Sequence, residues 1–236
     1  MNTPLSPVSG RLASLDILRG FDLFLLVFFQ PVFVALGQRL NFPWLNDILY
    51  QFDHESWIGF RFWDLVMPLF LFMTGASMPF SFSKFKNAPN KWHIYRKIIK
   101  RFVLLFIFGM IVQGNLLGLN PDSLYLYSNT LQSIAAGYLI TAVLFLYTSR
   151  RTQIGVAVAL LLVYWAAMQF ITIGSYGGGN YTPEGNLAEW IDCTVLGRFR
   201  DGAKVVDGEV VFAPWYHYTW ILSTLNFGVT VLTGLF

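Results

Sequence analysis

Apolar residues run in long unbroken stretches along this chain, and short polar clusters separate them. Stretches of this length predict membrane-spanning helices, because about 20 residues at ~1.5 Å each cross roughly 30 Å of hydrocarbon. The pattern gives six spans, at 17–38, 57–82, 100–119, 127–148, 153–174 and 217–236. Arg150-Arg151 divides one otherwise very long apolar stretch into the fourth and fifth of these. The expected fold is all-α, a polytopic transmembrane helical bundle that forms a single domain over residues 1–236. The last apolar run reaches Phe236 with no closing polar residues, so the chain is expected to be the N-terminal part of a longer protein.

Composition agrees. Hydrophobic residues make up 55% of the 236 positions and charged residues 12%, where a soluble domain carries about 25% charged residues. Aromatics reach 18%, as suits helices with aromatic belts at the membrane faces. The single cysteine, Cys193, excludes an intramolecular disulfide and a cysteine-built metal site. The first ten residues lack the basic-then-apolar pattern of a cleavable signal peptide, so the first apolar segment is expected to be retained.

Charge placement sets the expected orientation. With the N-terminus in the cytoplasm, the inner side holds Arg11, Arg19, the basic tract from Lys84 to Arg101, and Arg150-Arg151. That is 11 of the 16 basic residues, while 11 of the 13 acidic residues fall outside or near the outer face. Basic residues in short cytoplasmic loops fix topology in this way. Residues 39–56 and 175–216 are then outer loops. The multi-pass protein is expected in the lipid bilayer of the cell (inner) membrane if the source is bacterial. The basic tract suits anionic headgroups, or the phosphates of a soluble donor.

The candidate chemistry gathers at the mouth of the second span. Asp53-His54-Glu55 precedes an aromatic run that still carries Arg61 and Asp64. Intramembrane ionisable groups are costly and usually tied to function. Arg61 and Asp64 are three apart, as are Asp16 and Arg19, so each pair is expected to form an ion pair on one helix face. Pro68, Gly75 and Pro79 mark an irregular, cavity-lining helix. Gln30-Pro31 falls mid-span, where a kink is expected; Gln30 reads as a buried polar anchor or as a substrate ligand. Asn115 and Gln132 lie near the outer face, and their plain reading is interhelical hydrogen bonding. The plain reading of His54 is an interfacial histidine satisfied by loop carbonyls.

There is no phosphate-binding glycine loop with its lysine, no paired-histidine zinc motif and no nucleophile elbow. No metal and no nucleic-acid partner is expected. By residues alone, an enzyme, a transporter for a sugar or small metabolite, and a structural membrane subunit all remain open.

Three stretches carry a family resemblance: Arg11-Leu12-Ala13-Ser14-Leu15-Asp16-Ile17-Leu18-Arg19-Gly20, His54-Glu55-Ser56-Trp57-Ile58-Gly59, and Asp64-Leu65-Val66-Met67-Pro68 through Gly75-Ala76-Ser77. Leu131-Gln132, Ile191-Asp192 and Ser223-Thr224-Leu225-Asn226-Phe227 add to it. The sequence resembles the heparan-α-glucosaminide N-acetyltransferase family of multispanning acyltransferases. The resemblance implies ten or more spans and transfer of an acetyl group from cytosolic acetyl-CoA, as co-substrate, to an amino-sugar amine of the glucosamine type at the outer face. The family's catalytic histidine matches His54, acting as general base or as covalent acetyl carrier. Asp53 or Glu55 is expected to fix its tautomer, and Asp64 with Arg61 to brace the second span. Gln30 is the nearest counterpart to a family asparagine. Gln30, Asn115, Gln132 and Asn226 are the expected substrate-binding amides. Membrane transferases often work as dimers, so a homodimer is an expectation without an assigned interface.

Overall fold

The computed structural model of the chain describes residues 13–40, 42–86 and 90–236. Among them, four helices are long and apolar enough to cross a membrane: Ala13–Gly37, Phe62–Phe82, Thr130–Tyr147 and Arg150–Phe170. The chain is an integral membrane protein built mostly of helix. Arg11 and Leu12 of the N-terminal motif, the turn at 87–89, and the side chains of Lys84 and Lys86 lie outside the described residues.

The first span is one continuous rod made of α1 (Ala13–Phe24), a π-helical turn (Leu25–Phe29) and α2 (Gln30–Leu40). Pro31 has no N–H to give to the preceding turn. The chain absorbs this one residue earlier, where the Gln30 N–H reaches back five residues to the Leu25 carbonyl. A π turn of this kind keeps the helix going through the break. The Asp16–Arg19 pair forms at 3.7 Å, and Arg19 also donates to the Met73 carbonyl at 3.1 Å. After the rod, α3 (Pro43–Tyr50) leads to the His54 loop.

The second span begins later than hydropathy implies. Residues 57–61 are not helical, and a 3-10 turn (Phe62–Leu65) leads into α4 (Val66–Lys86). Asp64 sets this start, because its Oδ2 accepts the Arg61 backbone N–H at 2.9 Å and satisfies a donor that the first turn leaves free. Gly59 sits at φ +143°, and a Cβ there would meet the Glu55 side chain at 2.7 Å.

Three other expectations change. α5 (Trp92–Val112) starts and stops earlier than the expected 100–119. It has 21 residues but carries Arg96, Lys97, Lys100 and Arg101 in its first half, so it is not one of the four apolar helices. The expected last span shrinks to α9 (Thr224–Leu235), 12 residues long or about 18 Å; residues 216–223 ahead of it are not helical. The expected loop 175–216 is ordered. It holds β2 of the hairpin β1 (Thr172–Ile173)–β2 (Tyr176–Gly177), then α8 (Leu187–Leu196), then the antiparallel hairpin β3 (Ala203–Val206)–β4 (Glu209–Phe212). α6 (Thr130–Tyr147) and α7 (Arg150–Phe170) agree with the fourth and fifth spans.

The core lies among α4, α5, α6 and α9, where Leu71, Phe82, Ile94, Ile98, Tyr138 and Val231 are buried together. Lipid tails are as apolar as leucine, so close packing has to hold such helices together. Glycines supply it. A Cβ on Gly75 would run into the Val231 carbonyl oxygen, and one on Gly234 into that of Phe72. Gly137 meets the Phe227 backbone in the same way at 2.8 Å. α9 is therefore pressed against both α4 and α6.

Candidate active site

Asp64 does two jobs at the head of α4. Its Oδ2 caps the turn, and its Oδ1 lies 2.9 Å from His54 Nδ1. An ionised carboxylate only accepts, so Nδ1 is the donor, and in the neutral ring Nε2 then keeps its lone pair. The His54 side chain is 50% exposed and that of Asp64 27%, so the ring is half open to its surroundings. Asp64, and neither Asp53 nor Glu55, therefore orients the ring.

Arg61 takes a different partner from the one its spacing suggests. Its Nε donates to Glu55 at 2.9 Å and its Nη2 to the other Glu55 oxygen at 3.4 Å. Its guanidinium stacks 3.8 Å from the Tyr50 ring and stands 3.6 Å from Asp53. This fork holds the Glu55 carboxyl below the usual carboxylate range. Asp53 Oδ1 accepts the His54 backbone N–H at 2.8 Å. The acid–histidine–acid cluster is thus a tight turn in which two acids fix the backbone and Arg61, while a third, ten residues on, meets the imidazole.

Two cavities flank this turn. His54 borders one of about 410 Å³ that reaches inward between Leu23 and Leu26 of the first rod, Val66 and Phe70 of α4, and Ile134 of α6. Asp53 and Arg61 border another of about 550 Å³, which Gln30, Asn46 and Tyr50 also line.

The four expected substrate amides do not converge. Gln30 lines the second cavity, and its Nε2 donates to the Phe52 carbonyl at 2.9 Å. Gln132 is fully buried; its Oε1 accepts the Ser128 N–H and its Nε2 donates to the Leu126 carbonyl. Asn115 takes a left-handed backbone and donates to the Ser123 carbonyl, shaping a loop. Asn226 lies in α9, and its buried side-chain oxygen accepts no hydrogen bond among the described residues. None of these last three lines either cavity.

The ordered outer segment brings in residues to which the sequence reading gave no role. The Tyr218 ring stands edge-on to His54 at 6.4 Å between centroids. Trp57 donates to the Tyr181 carbonyl at 2.8 Å and packs against His217 at 6.1 Å. Asp192 positions this approach. Its carboxylate accepts the backbone N–H groups of Trp220 at 2.6 Å and Ile221 at 3.0 Å. Burial pushes its pKa up to about 6, against the pull of those two hydrogen bonds. Arg200, fully buried, ties Glu189 of α8 (2.5 Å) to the Tyr216 carbonyl (3.1 Å). No local pattern pairs Tyr218 with His54, since 164 positions of chain separate them. Among the described residues, no group of three or more His, Cys, Asp or Glu side chains is placed to hold a metal.

Known proteins agree with the resemblance read from the sequence. The heparan-alpha-glucosaminide N-acetyltransferase of Homo sapiens is 31% identical over 144 residues, which is 59% of this chain and 20% of that protein. The Mus musculus protein of the same name is 29% identical over 140 residues, 58% of this chain and 19% of its own length. The chain therefore spans about a fifth of the length of the curated relatives it matches. Residues 11–181, which include the whole His54 turn, match the model of the domain of unknown function DUF5009, and the chain belongs to that family.

Proposed function

We propose that this chain carries the histidine centre of a membrane N-acetyltransferase that moves acetyl from cytosolic acetyl-CoA to the amine of a glucosamine-type amino sugar at the outer face. The His54–Asp64 pair carries the reading. A carboxylate at 2.9 Å from Nδ1 fixes the tautomer that leaves Nε2 basic, as a general base requires. His54 takes the proton from the attacking amine. The amine nitrogen bonds to the thioester carbonyl carbon, the carbon–sulfur bond breaks, and the CoA thiolate leaves and takes up the proton. An acetyl-histidine route would use the same Nε2. The identity to two N-acetyltransferases over more than half of this chain supports the class.

In this reading α5 adds a fifth crossing and α9 is part of a sixth, with the N-terminus in the cytoplasm. His54 and the α8–β4 segment face outward, and the rest of a longer protein completes the bundle. The partners are the lipid bilayer, acetyl-CoA and the amino sugar, and the working unit is a homodimer.

The test follows radiolabelled acetyl from acetyl-CoA to glucosamine with the purified full-length protein, wild type against His54→Ala. Label on the sugar with wild type, lost in a folded variant, is the expected result. No label from wild type over a panel of amino sugars overturns the transferase and favours a transporter.

A further inference from the structure

We propose that the cavity beside His54 holds an alkyl chain carried by one of the two reacting substrates, either as the transferred acyl group or as a tail on the acceptor amine. The inference rests on the transferase reading and adds a substrate class to it.

The size of the cavity is the first argument. At about 410 Å³ it falls within the ~300–1,000 Å³ of sites that enclose whole small molecules. An acetyl group, with three heavy atoms, occupies little of it, and the two amides of the pantetheine arm behind it would meet an apolar wall.

The wall is the second. Leu26, Val112, Trp63, Phe70 and Ile134 are apolar, and the polar groups beside them are largely engaged. The Asn129 side-chain amide donates to the Gly109 carbonyl at 2.8 Å, and its oxygen accepts the Leu131 N–H at 2.9 Å. Gln113 donates to Asp201 at 3.0 Å. That leaves His54, the Gln113 amide oxygen and the Thr130 hydroxyl to meet a ligand. A sugar ring in this chamber would strand several hydroxyls, at a cost on the order of 1–3 kcal/mol each.

The third argument is direction. Val112, Gln113, Asn129 and Thr130 lie at the helix ends nearest His54, while Phe70 and Ile134 lie one turn inside α4 and α6. The chamber therefore leads from the imidazole into the apolar layer. Asp53, the residue next to His54, borders the opposite chamber with Gln30, Tyr50 and Arg61. A molecule with a polar head and an alkyl chain matches both sides of this turn.

The experiment uses the full-length protein in lipid nanodiscs with two series of substrates. Acetyl- through octanoyl-CoA are tested on glucosamine, and methyl- through octyl-glucosaminide are tested with acetyl-CoA. The expected result is that kcat/KM rises about tenfold or more with chain length in one series, and that series identifies the carrier. Leu26→Trp and Val112→Trp, both at partly outward-facing positions, are expected to lower the long-to-short ratio. Octanoyl-CoA and octyl-glucosaminide bearing a terminal diazirine are then photolysed on wild type and on His54→Ala. Crosslinks at α4 or α6 cavity residues in both proteins support the site even where transfer is absent, an outcome that would overturn the transferase and keep the chain site. Acetyl transfer with flat dependence in both series, and crosslinks no denser in the cavity than on the outer face of α7, would overturn the inference while leaving the enzyme in place.

Discussion

His54 Nδ1 stands 2.9 Å from Asp64 Oδ1, across the turn that starts α4. The same carboxylate caps that turn through the Arg61 N–H. Ring orientation and helix start are thus set by one side chain. Asp64→Asn keeps the size but lets an amide N–H face the imidazole and favour the wrong tautomer. Transfer is expected to fall by about 10² or more with KM little changed, and His54→Ala by about 10²–10⁴. Steady-state kinetics on folded variants check both, and an Asp64→Asn enzyme of wild-type rate would remove the pair from the chemistry.

Arg61 holds the His54 loop by a fork on Glu55 and a stack on Tyr50. Lysine keeps the charge and loses both the fork and the planar stack. Arg61→Lys is expected to lower kcat about tenfold by loosening the loop, with a clear loss of protection for the 53–61 amides in hydrogen exchange. Unchanged exchange would mean that the fork is not what orders the turn.

Gly75 and Gly234 sit where α4 and α9 touch backbone to backbone. Gly75→Val pushes a branched side chain into the Val231 carbonyl and is expected to destabilise by about 1–3 kcal/mol or more. Gly155, with open space around its Cβ position, is the control: Gly155→Ala is expected to be neutral or stabilising. Melting temperatures in detergent compare the two.

Asp192 is buried and its pKa is raised to about 6, above the ~3.9 of an unfolded aspartate. A carboxyl raised on folding adds stability that is complete below pH ~4 and is lost as pH climbs through about 6. The outer segment of the wild type is therefore expected to melt lower at pH 7 than at pH 5. Asp192→Asn, which does not titrate, is expected to flatten that slope. A wild-type slope that the substitution leaves intact would assign the titration elsewhere. Because Asp192 anchors Trp220 and Ile221, the variant is also expected to release the Tyr218 approach to His54, seen as a rise in KM for the acceptor.

Much was legible in the sequence because it depends on local composition. Runs such as Val66–Phe82 and Thr130–Tyr147 are apolar enough that only helix satisfies their backbone in hydrocarbon. Arg150-Arg151 was enough to separate α6 from α7, and the helix break near Pro31 follows from a missing N–H. His54 stood out through its acidic neighbours and its motif. Hydropathy could not place the start of α4, because Trp57–Phe60 is apolar and is nonetheless drawn into a loop by Asp64, Gly59 and the Arg61 fork. Nor could it show that residues 172–212 fold into hairpins and α8 around the buried Arg200. Spacing paired Arg61 with Asp64, and the tertiary structure gave Arg61 to Glu55 and Asp64 to His54, because the chain between them turns instead of forming a helix. The apolar chamber beside the imidazole and the edge of Tyr218 against it join residues more than a hundred positions apart, and Asp192 holds that segment from 28 positions away. Such contacts follow from how the helices pack, which no local pattern of residues encodes.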